Sequence, residues 1–173
     1  MNYLTITAPD INNGNGLRVT IWVAGCRHHC PGCQNQHTWS YEQGKPLEES
    51  WSELTNWLDR DYISGVTVSG GDPFSQSDKD LNHLHEFLLN FKAHYPDKNI
   101  WVYTGETFEE AMENEYKRRI LHLADVLVDG PFIHSIKDTT LAFRGSNNQR
   151  VIDLNKTFET GELVKMVFEG ENS

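Results

Sequence analysis

Two periods of apolar and polar residues alternate along this chain, and the switching between them predicts a repeated strand, loop and helix. Leu17–Ala24 (LRVTIWVA) is rich in β-branched and aromatic residues and reads as a buried strand. Leu47, Trp51, Leu54 and Leu58 recur at helical spacing within Leu47–Arg60. Gly65–Ser69 is a second short strand. Ser77–Tyr95 then opens on a capping serine and puts Leu81, Leu84, Leu88 and Phe91 on one helical face. Asn99–Thr104 is a third strand. Thr107-Phe-Glu-Glu110 fits a capping box, opening a helix with Ala111, Ile120 and Leu121 inward. Asp125–Val128 is a fourth strand, Thr140–Phe143 a fifth, and Leu163–Phe168 an edge strand in an acidic extension, residues 151–173.

This order predicts an α/β fold, a mostly parallel sheet forming a partial (βα) barrel open on one side. Ligands of such sheets bind beyond the carboxyl ends of the strands. The polar loops fall there: the segment after Ala24, Gly70-Gly71-Asp72-Pro73, Thr104-Gly105-Glu106, Asp129-Gly130-Pro131 and Arg144-Gly145-Ser146. All five are expected on one rim.

A length of 173 residues suits a single domain with a core that needs no staples. The formal net charge of −10, with no stripe of lysine and arginine, argues against nucleic acid or an anionic membrane as partner. No apolar run approaches about 18 residues, and the amino terminus lacks the charged and apolar regions of a signal peptide. Three cysteines packed within eight residues are no disulfide framework, which points to a reducing, cytoplasmic setting.

Those cysteines, Cys26-x-x-x-Cys30-x-x-Cys33, are the only ones in the chain. A 4Fe–4S cluster normally takes four thiolates, so three would leave one iron open to a reactant. One alternative is a structural zinc site completed by His28, His29 or His37, although the spacing differs from paired zinc knuckles. A redox Cys30-x-x-Cys33 pair would leave Cys26 surplus. The two glycines of Gly70-Gly71-Asp72-Pro73 permit close backbone approach to a ligand, and Asp72 can hold an ammonium group, unless the motif is an ordinary turn. His28 and His29 either bond cluster sulfurs or are solvated, with solvation favoured. Trp22, Trp51, Trp57 and Trp101 read as packing, and Arg144 as a carboxylate or partner contact or an exposed loop residue.

With these residues in view, the chain resembles the radical S-adenosylmethionine (SAM) activases of glycyl-radical enzymes. The resemblance runs from Asn12 to about Arg150. Its features are Asn15-Gly16-Leu17-Arg18, Cys26-Arg-His-His-Cys30-Pro-Gly-Cys33-Gln-Asn35, Thr38-Trp39, Gly70-Gly71-Asp72-Pro73, Asp125-Val-Leu-Val-Asp129-Gly130 and Arg144-Gly-Ser-Asn-Asn-Gln-Arg150. Many members of that superfamily carry glutamate at the place of Asp72, and an aromatic residue or histidine at that of Gln34. The resemblance implies an oxidoreductase with a 4Fe–4S cluster on Cys26, Cys30 and Cys33 and SAM on the fourth iron. Gly32, Cys33 and Gln34 would line one side of SAM and Gly70, Gly71 and Asp72 the other, with no further catalytic side chain. An electron from reduced flavodoxin or a similar donor would yield methionine and a 5′-deoxyadenosyl radical. That radical would remove a hydrogen from a glycine of the partner, the anaerobic (class III) ribonucleoside-triphosphate reductase. A radical SAM enzyme with a small substrate, like 7-carboxy-7-deazaguanine synthase, and a zinc-stabilised binding module are the alternatives.

Overall fold

The computed structural model describes residues 1–171. Seven strands, β1 (Asn2–Asp10), β2 (Leu17–Val23), β3 (Lys45–Pro46), β4 (Ile63–Gly70), β5 (Asn99–Tyr103), β6 (Val126–Asp129) and β7 (Arg150–Asp153), form one open sheet in the order β3-β1-β2-β4-β5-β6-β7. The centre, β2-β4-β5-β6, is parallel. Antiparallel strands flank it, β1 and β3 on one side and β7 on the other. The sheet is therefore mixed rather than mostly parallel throughout.

Helices α1 (Trp51–Leu58), α2 (Asp78–His94), α3 (Phe108–Met112), α4 (Glu115–Leu123) and α5 (Leu154–Thr160) complete the order. Alternate strand residues Val19, Ile21, Val23, Val66, Val68, Ile100, Val102, Leu127 and Ile152 pack with Leu54, Leu58, Leu81, Leu84, Leu88, Phe91 and Ile120 in one core. The intervening positions, Arg18, Thr20, Trp22, Thr67, Ser69, Trp101 and Tyr103, belong to the opposite face. That face is polar and aromatic, so the helices cover one side of the sheet only.

The caps explain where helices begin. Ser77 accepts from the Asp80 N–H at the start of α2, and the Thr107–Glu110 capping box opens α3 as the sequence predicts. The helix expected to continue from there divides instead. Asn114 accepts from the Tyr116 and Lys117 N–H groups and starts α4 afresh.

Two expected strands are corrected and one strand is added. Strand β1 lies outside the predicted set because only Tyr3 and Asp10 of its nine residues are buried, so it shows no apolar run. Thr140–Phe143 is a loop: Asp138 accepts from the Thr140 N–H and O–H, and Phe143 adopts a left-handed φ of 62° that ends any extension. Within Leu163–Phe168 only Lys165 forms a bridge, to Ile152, and the edge strand is β7. Among the described residues no helix is long and apolar enough to cross a membrane.

Candidate functional site

The cysteine loop leaves the carboxyl end of β2 and is closed at its base by backbone bonds. Gly25 N–H donates to Thr38 O at 2.7 Å and Cys26 N–H to Trp39 O at 3.2 Å. Within the loop, Cys33 N–H donates to Cys30 O, and Asn35 N–H donates to Cys33 Sγ at 3.3 Å. All three thiols are free. Cys26 is buried, and burial pushes its thiol pKa up, whereas Cys30 and Cys33 are half-buried.

Two of the three histidines considered as zinc ligands, His28 and His29, are engaged elsewhere. His29 stacks on Trp39 with ring centroids 4.2 Å apart. His28, expected to be solvated, sets Nε2 2.6 Å from Asp72 Oδ2, and this hydrogen bond raises the imidazole pKa against the effect of burial. A zinc ion needs donors converging on one point at about 2.0–2.3 Å. No group of three Cys, His, Asp or Glu side chains among the described residues does so. A four-iron cluster takes its thiolates at separate corners, and the donor set of three thiols on one loop fits it.

The glycine pair does something other than leave space. A Cβ at Gly71 would stand 2.3 Å from Gly25 O, and one at Gly70, where φ is +111°, would stand 2.5 Å from Val23 N. Both glycines let the end of β4 press on the end of β2. Gly71 N–H donates to Val23 O at 2.9 Å and Asp72 N–H to Gly25 O at 2.8 Å. Asp72 is buried. Its Oδ1 accepts from Phe74 N–H at 2.8 Å, and its Oδ2 from Gly105 N–H at 2.9 Å and Thr104 O–H at 3.1 Å, besides His28. The aspartate expected to meet an ammonium group thus has both oxygens bonded within the protein. Gly32, at φ +73°, allows the loop to pack on His134, whose Nδ1 would lie 2.7 Å from a Cβ.

Beside the loop lies a cavity of about 550 Å³ against the polar face of the sheet. Cys33, Gln34 and Asn35 form one wall, Trp22, Ser69 and Tyr103 the back, Asn12 and Asn13 one flank, and Lys137, Phe143 and Arg144 the far side. Of the predicted site residues, Cys33 and Gln34 reach this cavity together with Arg144, while Gly70, Gly71 and Asp72 brace the loop from behind. Tyr103 O–H donates to Phe143 O at 2.7 Å, and its burial raises the phenol pKa. Arg144 is not exposed. Its guanidinium pairs with Glu171 at 2.9 Å.

Beneath the Asn12–Asn13 flank, Arg18 is fully buried, donating to Thr67 Oγ1, Val66 O and Asn15 O and lying 5.4 Å from the Trp101 ring. Burial pushes its pKa down to about 10. Trp22, Tyr103 and Arg18 were missed as site residues. The available signal was their alternation with apolar neighbours, which marks a second face of the sheet that no helix covers.

Residues 12–152 match the family model of a 4Fe–4S single cluster domain. The chain is 38% identical over 154 residues to the anaerobic ribonucleoside-triphosphate reductase-activating protein of Escherichia coli K12, a match covering 87% of this chain and 97% of that protein. The proteins of the same name from Pasteurella multocida and phage T4 are 40% and 37% identical, covering 86% and 87% of this chain and 95% and 93% of their own lengths. Three free thiols, a cavity at their edge and this likeness over most of the sequence agree: the chain belongs to the family of anaerobic ribonucleoside-triphosphate reductase-activating proteins.

Proposed function

We propose that this protein is a radical SAM oxidoreductase that activates the anaerobic ribonucleoside-triphosphate reductase by generating a glycyl radical on it. The observation that carries this reading is the presence of three free thiols, with no fourth cysteine in the chain, on a loop that borders a 550 Å³ cavity. Such a volume lies within the range of small-molecule sites. Cys26, Cys30 and Cys33 would ligate three irons of a 4Fe–4S cluster and leave the fourth to SAM. When bound, the pair supplies one-electron cleavage of a C–S bond, the electron coming from reduced flavodoxin or a similar donor.

The chain's own residues bind, orient and shield. Asn35 N–H donates to Cys33 Sγ and orients it. Gly32, Cys33 and Gln34 would border one side of SAM, and Gly70, Gly71 and Asp72 would act on the site through the cysteine loop that they brace from behind. Trp22, Ser69 and Tyr103 exclude water from the back of the cavity. Strands β2, β4, β5 and β6 adjoin in chain order, and we read them as the partial barrel of this enzyme type, with the whole chain as one domain. The reaction belongs in the cytoplasm, whose reducing poise keeps thiols free. A zinc module would have no use for the cavity.

The test is anaerobic reconstitution, expected to give about four irons and four sulfides per chain. With reductant, SAM and the reductase, an EPR doublet from a glycyl radical should appear on the reductase. Alanine at Cys26, Cys30 or Cys33 should abolish both results. Zinc in place of iron would overturn the reading in favour of a binding module. SAM cleavage with no radical on the reductase would favour a small-molecule substrate.

A further inference from the structure

The proposed function assigns no role to His28, yet its surroundings are built for it. The residue lies midway between Cys26 and Cys30, and its side chain, 26% exposed, reaches the loops that follow β4 and β5. Asp72, the acceptor, is 1% exposed and receives donors from three separate stretches of chain: His28 Nε2, Phe74 N–H, and the Thr104 O–H with Gly105 N–H. A carboxylate only accepts, so Nε2 carries the proton of this bond. Gly105 completes the seat. A Cβ there would meet the imidazole Cδ2 at 2.7 Å, so the ring rests on bare backbone. Donor, acceptor and floor thus come from three elements and meet on one ring.

We propose that His28 is the positioning residue of the cysteine loop. Its hydrogen bond to Asp72 pins the Cys26–Cys30 turn to the β4 and β5 loops, so the thiols are presented from a frame that exists before a cluster binds. The reading of this loop as the cluster loop rests on the function proposed above. His28 touches no reactant in this scheme and acts through the loop. Without the pin, residues 26–35 keep their base bonds at Gly25 and Cys26 but lose the His28 bond to Asp72, through which they are joined to the loops after β4 and β5.

Two variants separate the donor from the ring. His28→Phe keeps an aromatic ring against Gly105 and removes the donor. His28→Gln keeps an N–H three bonds from Cβ and removes the ring. Amide hydrogen exchange is measured on the full chain without iron. In His28→Phe the amides of residues 26–35 should exchange roughly 10- to 100-fold faster, the worth of a hydrogen bond to a charged group. In His28→Gln they should stay near the parent rate. In reconstituted protein with SAM, the midpoint potential of the cluster should shift in His28→Phe and return in His28→Gln. Parent-like exchange in His28→Phe would overturn the proposal, as would equal loss in both variants. So would faster exchange throughout β2, β4 and β5, because the contact would then hold the fold rather than the loop. Failure of the parent chain to take up iron would instead sink the proposed function, leaving the exchange result on the loop intact.

Discussion

Gly71→Ala distinguishes two reasons for a glycine at the rim: close approach of a ligand, or close approach of the protein's own backbone. The new Cβ would lie 2.3 Å from Gly25 O, 2.7 Å from Gly25 C and 3.0 Å from Gly25 N. Carbon contacts settle near about 3.5 Å, so the two segments must separate by roughly 1 Å. No flexible side-chain end can yield, because every contact is backbone. Overpacking of this kind costs about 1–3 kcal/mol. Separation also weakens the bonds from Gly71 N–H to Val23 O and from Asp72 N–H to Gly25 O, each worth about 1 kcal/mol. The total is about 2–5 kcal/mol, which in a chain of this size lowers Tm by roughly 5–15 °C. The assay is thermal unfolding of the iron-free chain followed by circular dichroism, with iron uptake measured in parallel and expected to fall. A Tm within about 2 °C of the parent, with iron uptake normal and only SAM binding lost, would refute the packing argument. Gly71 would then be a ligand-contact residue, as first expected from the motif.

Other elements respond in their own ways. Arg18→Met removes a buried guanidinium that donates to Thr67, Val66 O and Asn15 O, leaving acceptors dry; the urea midpoint should fall by the equivalent of about 2–4 kcal/mol, and Arg18→Lys should recover little because an ammonium lacks the fork. Arg150→Ala strips buried Asp129 of its partner at 2.5 Å and leaves it the Phe108 N–H; urea unfolding should show a loss of about 2–4 kcal/mol, moderated because Arg150 is partly exposed. Burial opposes ionisation of Glu171, but the Ala142 N–H and Arg144 prevail and hold its carboxyl below the usual range. Its contribution is therefore present above the unfolded carboxylate pKa of about 4.3 and is lost as pH falls through the lower folded value. Limited proteolysis should accordingly cut residues 161–171 faster on acidification, and in Glu171→Gln already at neutral pH; equal cutting in Glu171→Gln and parent at neutral pH would count against this clasp.

What the residues revealed on their own divides along physical lines. Local signals carried far: the apolar runs of β2, β4, β5 and β6, the Ser77 cap and the Thr107–Glu110 box are each set within a few residues of chain. The grouping of the three cysteines on one loop was legible because their spacing is local as well. Contacts between distant loops were not. Asp72 and His28 are 44 positions apart, and each is a plausible surface residue until the register of β2 against β4 brings Val23 beside Gly70. The strand reading LRVTIWVA also failed in one respect. Taken as a continuous buried run it hides the alternation of Arg18, Thr20 and Trp22 with Val19, Ile21 and Val23. Burial of the polar set does not come from helices, since those pack on the valine and isoleucine side. It comes from the Asn12–Asn15 loop and, further along the sheet, from Phe143, Met166 and Phe168. The tail residues among these follow residue 152, where the match to the cluster-domain family ends. Through Glu171 the tail holds Arg144, a wall of the cavity. A segment that composition alone marks as an acidic extension is thus tied to the site.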